Sequence, residues 1–161
     1  MSPRRHCWRK ERPRSGAFVG GFVVDGGVHL AHIVRKCVGM PIRVKNSTAC
    51  FDKALHPIDS AVAALEFDDG LLGTWTSCFS SPYGGPMLRV FGAKGYAELG
   101  WDSAVLFDLK GKKTVYQAKV DSFYAQFDHF VDVVCKGSRV AVSPEDALLD
   151  LAFMESIVKG R

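Results

Sequence analysis

The chain has 161 residues, is 47% hydrophobic and 24% charged, and carries a net charge of +4. At this length one domain is the natural expectation, and a chain of about 150 residues hides roughly 68–70% of its unfolded surface, enough for a real core. The charge is uneven. Arg4, Arg5, Arg9, Lys10, Arg12 and Arg14 against Glu11 make the first segment basic, and the remaining 15 basic and 16 acidic residues leave the rest at −1. That pattern argues against a nucleic-acid surface over the domain. No apolar run approaches the ~20 residues that span a bilayer, and the start has no apolar signal region. Five cysteines, Cys7, Cys37, Cys50, Cys78 and Cys135, form no Cys-x-x-Cys pair. They point to reduced thiols in a cytoplasmic protein.

Residues 1–19 hold Pro3, Pro13 and Gly16 among charges and read as a basic arm or loop. Residues 20–161 read as the folded domain. From Gly20 to Gly39, Val23, Val24, Val28, Leu30, Ile33, Val34, Cys37 and Val38 recur at helical spacing. Arg35 and Lys36 suit the negative end of a helix dipole, Gly39 is a C-cap and Pro41 a stop. Gly20, Gly21, Gly26 and Gly27 oppose the helix, at about 1 kcal/mol each relative to Ala. A helix that accepts them points to close backbone approach or an unusual dihedral. On this helix Asp25 and His29 stand one turn apart, with roughly 5–6 Å between their Cβ atoms.

Ile42 to Cys50 reads as a strand. Ser60 to Asp68 alternates, with Ala61, Ala63, Leu65 and Phe67 on one side, and Asp68-Asp69-Gly70 turns it into a second strand to Ser80. Further strands follow at 87–91, 96–99, 104–109 and 113–118. The period then lengthens from 2 to 3.6. Phe123, Phe127, Phe130, Val131 and Val134 make one helical face ending at Gly137. Ser143 and Pro144 start a last helix that carries Glu145 and Asp146 in its first turn. Strands grouped together and helices apart predict an α+β fold: a predominantly antiparallel open sheet with helices packed on one face. Trp75 and Phe79 are expected to make the open face apolar.

Taken in order, Trp8-Arg9, Gly20-Gly21-x-x-x-Asp25-x-Gly27-x-His29, Gly39, Pro57-x-Asp59, Phe67-Asp68-Asp69-Gly70, Gly92-x-x-Gly95, Phe127-x-x-Phe130 and Ser143-Pro144-Glu145-Asp146-Ala147 resemble the C-terminal domain of the Gfo/Idh/MocA oxidoreductases. Inositol dehydrogenase and glucose–fructose oxidoreductase belong to that family. The resemblance implies an NAD(P)-dependent oxidoreductase acting on a sugar, polyol or related hydroxy compound, with a homo-oligomer formed through the sheet face. NAD or NADP would be bound mainly by an N-terminal Rossmann domain. No Gly-x-Gly-x-x-Gly follows a strand here, and the family's Glu-Lys-Pro segment with its catalytic lysine is missing. The chain thus resembles the second domain alone, inactive without a Rossmann partner. The alternative is a non-catalytic dimerisation module that pairs through its open sheet.

For the sites, two readings stand. The resemblance makes His29 the acid/base that exchanges a proton with the substrate hydroxyl and Asp25 its helper, whereas the residues alone allow a capping Asp and a buried His. Trp8 and Arg9 either line a substrate pocket or belong to a solvated arm. Gly21 is expected at the substrate, the glycines letting the helix start approach nicotinamide and substrate. His32 lies three residues from His29 without a supporting ligand set, so no metal is expected. His56 and His129 read as surface or structural, and Tyr83 as a loop residue within reach of a ligand.

Overall fold

The computed structural model describes residues 20–82, 85–119 and 121–160. In chain order the elements are α1 (Gly21–Val38), β1 (Pro41–Ala49), β2 (Ser60–Phe67), β3 (Leu72–Cys78), β4 (Leu88–Gly92), β5 (Gly95–Leu99), β6 (Ser103–Asp108), β7 (Lys113–Gln117), α2 (Ser122–Lys136) and α3 (Pro144–Lys159). They fall into two compact units, one of the chain up to residue 83 with 145 onward, the other of 84–144. The fold is α+β, and the strands form two antiparallel sheets, ordered β1-β2-β3 and β4-β5-β6-β7. Trp8, Arg9 and Tyr83 lie outside the described residues.

In the first unit the alternation of β2 has the expected result. Ala61, Ala63, Leu65 and Phe67 are buried, whereas Val62 and Ala64 face outward. The turn after β2 closes as its residues dictate: Gly70 takes φ 78° and donates to the Phe67 carbonyl at 3.0 Å, and Asp69 accepts from the Leu71 amide at 3.1 Å. Trp75 stands opposite Ala63 and belongs to the buried face, its ring centroid 6.0 Å from that of Phe153 in α3. Phe79 lies against Gly26 of α1. The expectation that these aromatics make the open face apolar is therefore corrected. A large aromatic in a half-buried sheet goes to the side where helices can cover it, and the outward face of β3 is left to Thr74 and Thr76.

The core of this unit joins Val23 and Ala31 of α1, Val44 of β1, the buried row of β2, Trp75, and Phe153, Met154 and Ile157 of α3. Each large side chain fully removed from water contributes about 1.5–3 kcal/mol. The glycines of α1 let it lie close to its neighbours. A Cβ at Gly27 would come within 2.4 Å of the Met154 methyl and 3.2 Å of the Trp75 ring. One at Gly21 would meet the Ile58 carbonyl oxygen at 2.5 Å, and φ there is +50°. Along α3, Phe153, Met154 and Ile157 face the core while Leu148 and Leu151 stay exposed.

In the second unit Tyr96 stacks on Phe107, ring centroids 4.5 Å apart, with Phe91 beside it. Asp121 caps α2 by accepting from the Phe123 amide at 2.8 Å, and Gly137 ends the helix in the left-handed region. His129 accepts from the Ala141 amide at 3.1 Å, which makes it structural. No residue of α2 is buried, so the apolar face from Phe123 to Val134 is presented outward.

One buried carboxylate organises the turn between β1 and β2. Asp59 is fully buried. Its Oδ2 accepts from the Phe51 and Asp52 amides at 3.0 and 2.7 Å, and its Oδ1 from the Ser60 hydroxyl at 2.8 Å. Burial pushes its pKa up, but the hydrogen bonds from Asp52, Phe51, Ser60 and Ser80 outweigh it and hold the carboxyl below its ordinary value. Because the folded value lies below the unfolded one, this stabilisation is complete above the ordinary value and is lost as pH falls through the folded value. Asp59→Asn is expected to cost about 1.5–3 kcal/mol at neutral pH. The cost should shrink at about pH 3, in the range where carboxylates protonate. Urea midpoints of both proteins at the two pH values check this; an equal penalty at both would contradict the account.

Candidate functional site

The core fixes the rotation of α1. Val23, Gly27 and Ala31 are buried on one side, and Asp25 and His29 emerge on the opposite, exposed side. Residues four apart on a helix are neighbours, so the two side chains share one surface, as the spacing requires. Gly21 is buried under the Ile58 backbone at the start of the helix. Glycine at that position is accounted for by packing and by its positive φ.

The same side of α1 continues into a charged cluster with α3. His32 Nδ1 lies 2.7 Å from Asp150 Oδ2. Arg35 donates through Nε to Asp150 Oδ1 at 2.8 Å and through Nη2 to Asp146 Oδ1 at 2.7 Å and the Asp146 carbonyl at 3.2 Å. Lys36 Nζ completes the set at 2.9 Å from Asp146 Oδ1. Asp150 is only 3% exposed. The hydrogen bonds from Arg35 to Asp150 and Asp146 raise the guanidinium pKa against the opposing effect of burial, so it stays charged. Sequence reasoning used Arg35, Lys36 and Asp146 only as helix-end charges and did not weigh Asp150. The available signal was the pair Asp146 and Asp150, four residues apart on one side of a helix.

A dinucleotide cradle needs a glycine-rich turn between a parallel strand and a helix. Among the described residues every strand pair is antiparallel, and the Cβ positions of Gly21, Gly26 and Gly27 are filled by Ile58, Phe79 and Met154. The described residues do not fit a dinucleotide. Packing within the chain accounts for glycine at these positions, since protein atoms take the space a Cβ would need. Among the described residues no three His, Cys, Asp or Glu side chains are grouped to hold a metal, and no helix is long and apolar enough to cross a membrane. A groove of about 470 Å³ lies on β4–β7 in the other unit, lined by Val90, Tyr96, Leu106 and Lys112 among others, and contains neither Asp25 nor His29.

The described residues thus make an antiparallel α+β fold with an Asp–His pair on the exposed side of its first helix. The GFO/IDH/MocA C-terminal domain matches residues 2–98, and the chain belongs to that family. Among solved structures, an oxidoreductase from Thermotoga maritima is 28% identical, with a TM-score of 0.82 over 98% of this chain and 48% of that one. An oxidoreductase from Agrobacterium radiobacter, in complex with NAD+, L-tartaric acid and magnesium, is 18% identical, with a TM-score of 0.62 over 81% and 44%. The aldose–aldose oxidoreductase from Caulobacter crescentus, complexed with glycerol, is 22% identical, with a TM-score of 0.64 over 81% and 42%. The chain spans about half the length of these relatives. Comparison with curated proteins gives no match.

The buried and exposed parts of the cluster are expected to differ sharply in worth. Asp150→Ala removes the buried carboxylate that His32 and the Arg35 Nε share, leaving Arg35 only Asp146, and should cost about 3–5 kcal/mol. Lys36→Ala removes a solvent-screened contact and should stay within about 0.5 kcal/mol. Denaturant titration of the two variants measures the contrast, and similar penalties would refute it.

Proposed function

We propose that this chain is the substrate-binding, catalytic and oligomerisation domain of an NAD(P)-dependent oxidoreductase acting on a sugar, polyol or related hydroxy compound. NAD or NADP is held mainly by a dinucleotide-binding domain outside this chain. The observation that carries the reading is that, in a member of this family, Asp25 and His29 stand one turn apart on the exposed side of a helix whose other side is locked into the core. Imidazole is the side chain suited to taking the proton of a substrate hydroxyl near physiological pH, and the carboxylate stands one turn away on the same side of the helix. The names of the similar structures support the substrate class: one is an aldose–aldose oxidoreductase, another a UDP-N-acetylglucosamine 3-dehydrogenase. Trp8 and Arg9 join the substrate pocket in this reading, and Gly21 serves it by setting the start of α1. The free thiols Cys37, Cys50, Cys78 and Cys135 support a cytoplasmic location.

The test is His29→Ala in the protein joined to, or mixed with, its dinucleotide-binding half. Turnover should fall by about 10²–10⁴-fold, the usual contribution of an acid/base group, with cofactor affinity nearly unchanged. Undiminished turnover would sink the acid/base role.

A second reading, a dimerisation module without catalysis, is favoured by the apolar side chains Val62, Leu106, Val115 and Tyr116 exposed on the strands. Sedimentation of the chain by itself addresses it. A dimer that neither binds NADH nor restores activity to a dinucleotide-binding half supports this reading, and a monomer excludes it.

A further inference from the structure

The row of titratable groups on α1 does not stop at His29. Asp25, His29, His32 and Lys36 follow at intervals of four, three and four residues, which keeps them on one face. His32 differs from His29 in being held. Its Nδ1 is 2.7 Å from Asp150 Oδ2, and Arg35 fixes the other Asp150 oxygen at 2.8 Å. An ionised carboxylate can only accept, so His32 Nδ1 carries the hydrogen, and in the neutral ring Nε2 holds the lone pair. The His32 side chain keeps 26% of its surface exposed, while that of Asp150 keeps 5%. Cβ atoms three residues apart on a helix are roughly 5–6 Å apart, which puts the two histidines at neighbouring positions on one face.

Resting on the proton-exchange role of His29 above, we propose that His32, oriented by Asp150, passes the proton taken up by His29 on to solvent. The N–H bond formed at His29 breaks, and the proton goes to the lone pair of His32 Nε2. The imidazolium so formed keeps its Nδ1 hydrogen on Asp150. It then releases the proton to water, His29 returns to its neutral form, and nothing is oxidised or reduced. His32 acts through His29 and is a positioning residue, and Asp150 positions it in turn. The charged groups around His32 permit this. Asp146 and Asp150 of α3 are already matched by Arg35 and Lys36 of α1, so the contact between the helices stands whether His32 is neutral or charged. Asp25 and His29 are the titratable neighbours on its own face.

The test is His32→Gln in the complete enzyme, since Gln keeps an N–H for Asp150 and removes the titratable lone pair. Asp150 itself is left intact because its loss threatens folding. We expect kcat to fall about tenfold with KM unchanged, and added imidazole to restore part of it. Unchanged kcat and pH profile in His32→Gln, with His29→Ala inactive, overturns the relay alone. Unchanged turnover in both overturns the site reading and the relay with it. A readout independent of turnover is ¹⁵N NMR of the histidine rings in this chain. His32 should be the Nδ1–H tautomer, and the titration midpoint of His29 should move in His32→Gln. An Nε2–H tautomer at His32, or an unmoved His29 midpoint, overturns the proposal.

Discussion

A carboxylate left with 3% of its surface exposed must be matched, and Asp150 is matched from α1 by His32 and Arg35. An uncompensated charge at such depth would cost several kcal/mol, so α3 can dock only where these two donors meet it. His32 and Arg35 are three residues apart, on adjacent turns. Their joint engagement sets the rotation of α1 about its own axis as well as its distance from α3. Once that rotation is set, Val23, Gly27 and Ala31 must face inward and Asp25 and His29 outward.

Two further polar groups hold the frame at its other corners. Asn46 of β1 donates from Nδ2 to the Ile157 and Val158 carbonyls, both at 2.8 Å, and so satisfies orphan acceptors at the end of α3. Asp59 gathers the amides of Phe51 and Asp52 where the chain turns from β1 into β2. Helix α3 is thus tied near its start by Arg35 and Lys36 and at its end by Asn46, with Phe153, Met154 and Ile157 packed between. The apolar residues supply most of the energy and little direction, whereas the polar contacts choose one arrangement out of many that would bury the same area.

Local patterns were legible because they need only neighbours. The alternation of β2, the turn at Asp68-Asp69-Gly70, the caps at Gly39 and Gly137, and the start of α3 at Pro144 all follow from residues within a few positions of each other. The Asp25–His29 spacing is of the same kind. What was not legible depends on partners distant in the chain. Asp150 lies 118 residues from His32, and no periodicity announces that pairing. Trp75 was assigned to the wrong face because alternation says which residues share a side and not which side a helix will cover. The packing role of the α1 glycines was not legible either, because the sequence cannot say that Ile58, Phe79 and Met154 come to lie against them.

The two histidines of α1 illustrate how context separates identical side chains. His32 has Nδ1 committed to Asp150, which holds its ring against α3. His29 stands on the exposed side, without the clamp that reaches His32 from α3. In the proposed roles, the exposed ring keeps freedom to adjust to a substrate hydroxyl and the held ring keeps a fixed orientation beside a carboxylate. The clamp that holds α1 to α3 therefore divides the row as well: it holds the end near Lys36 against α3 and leaves His29 on the exposed side.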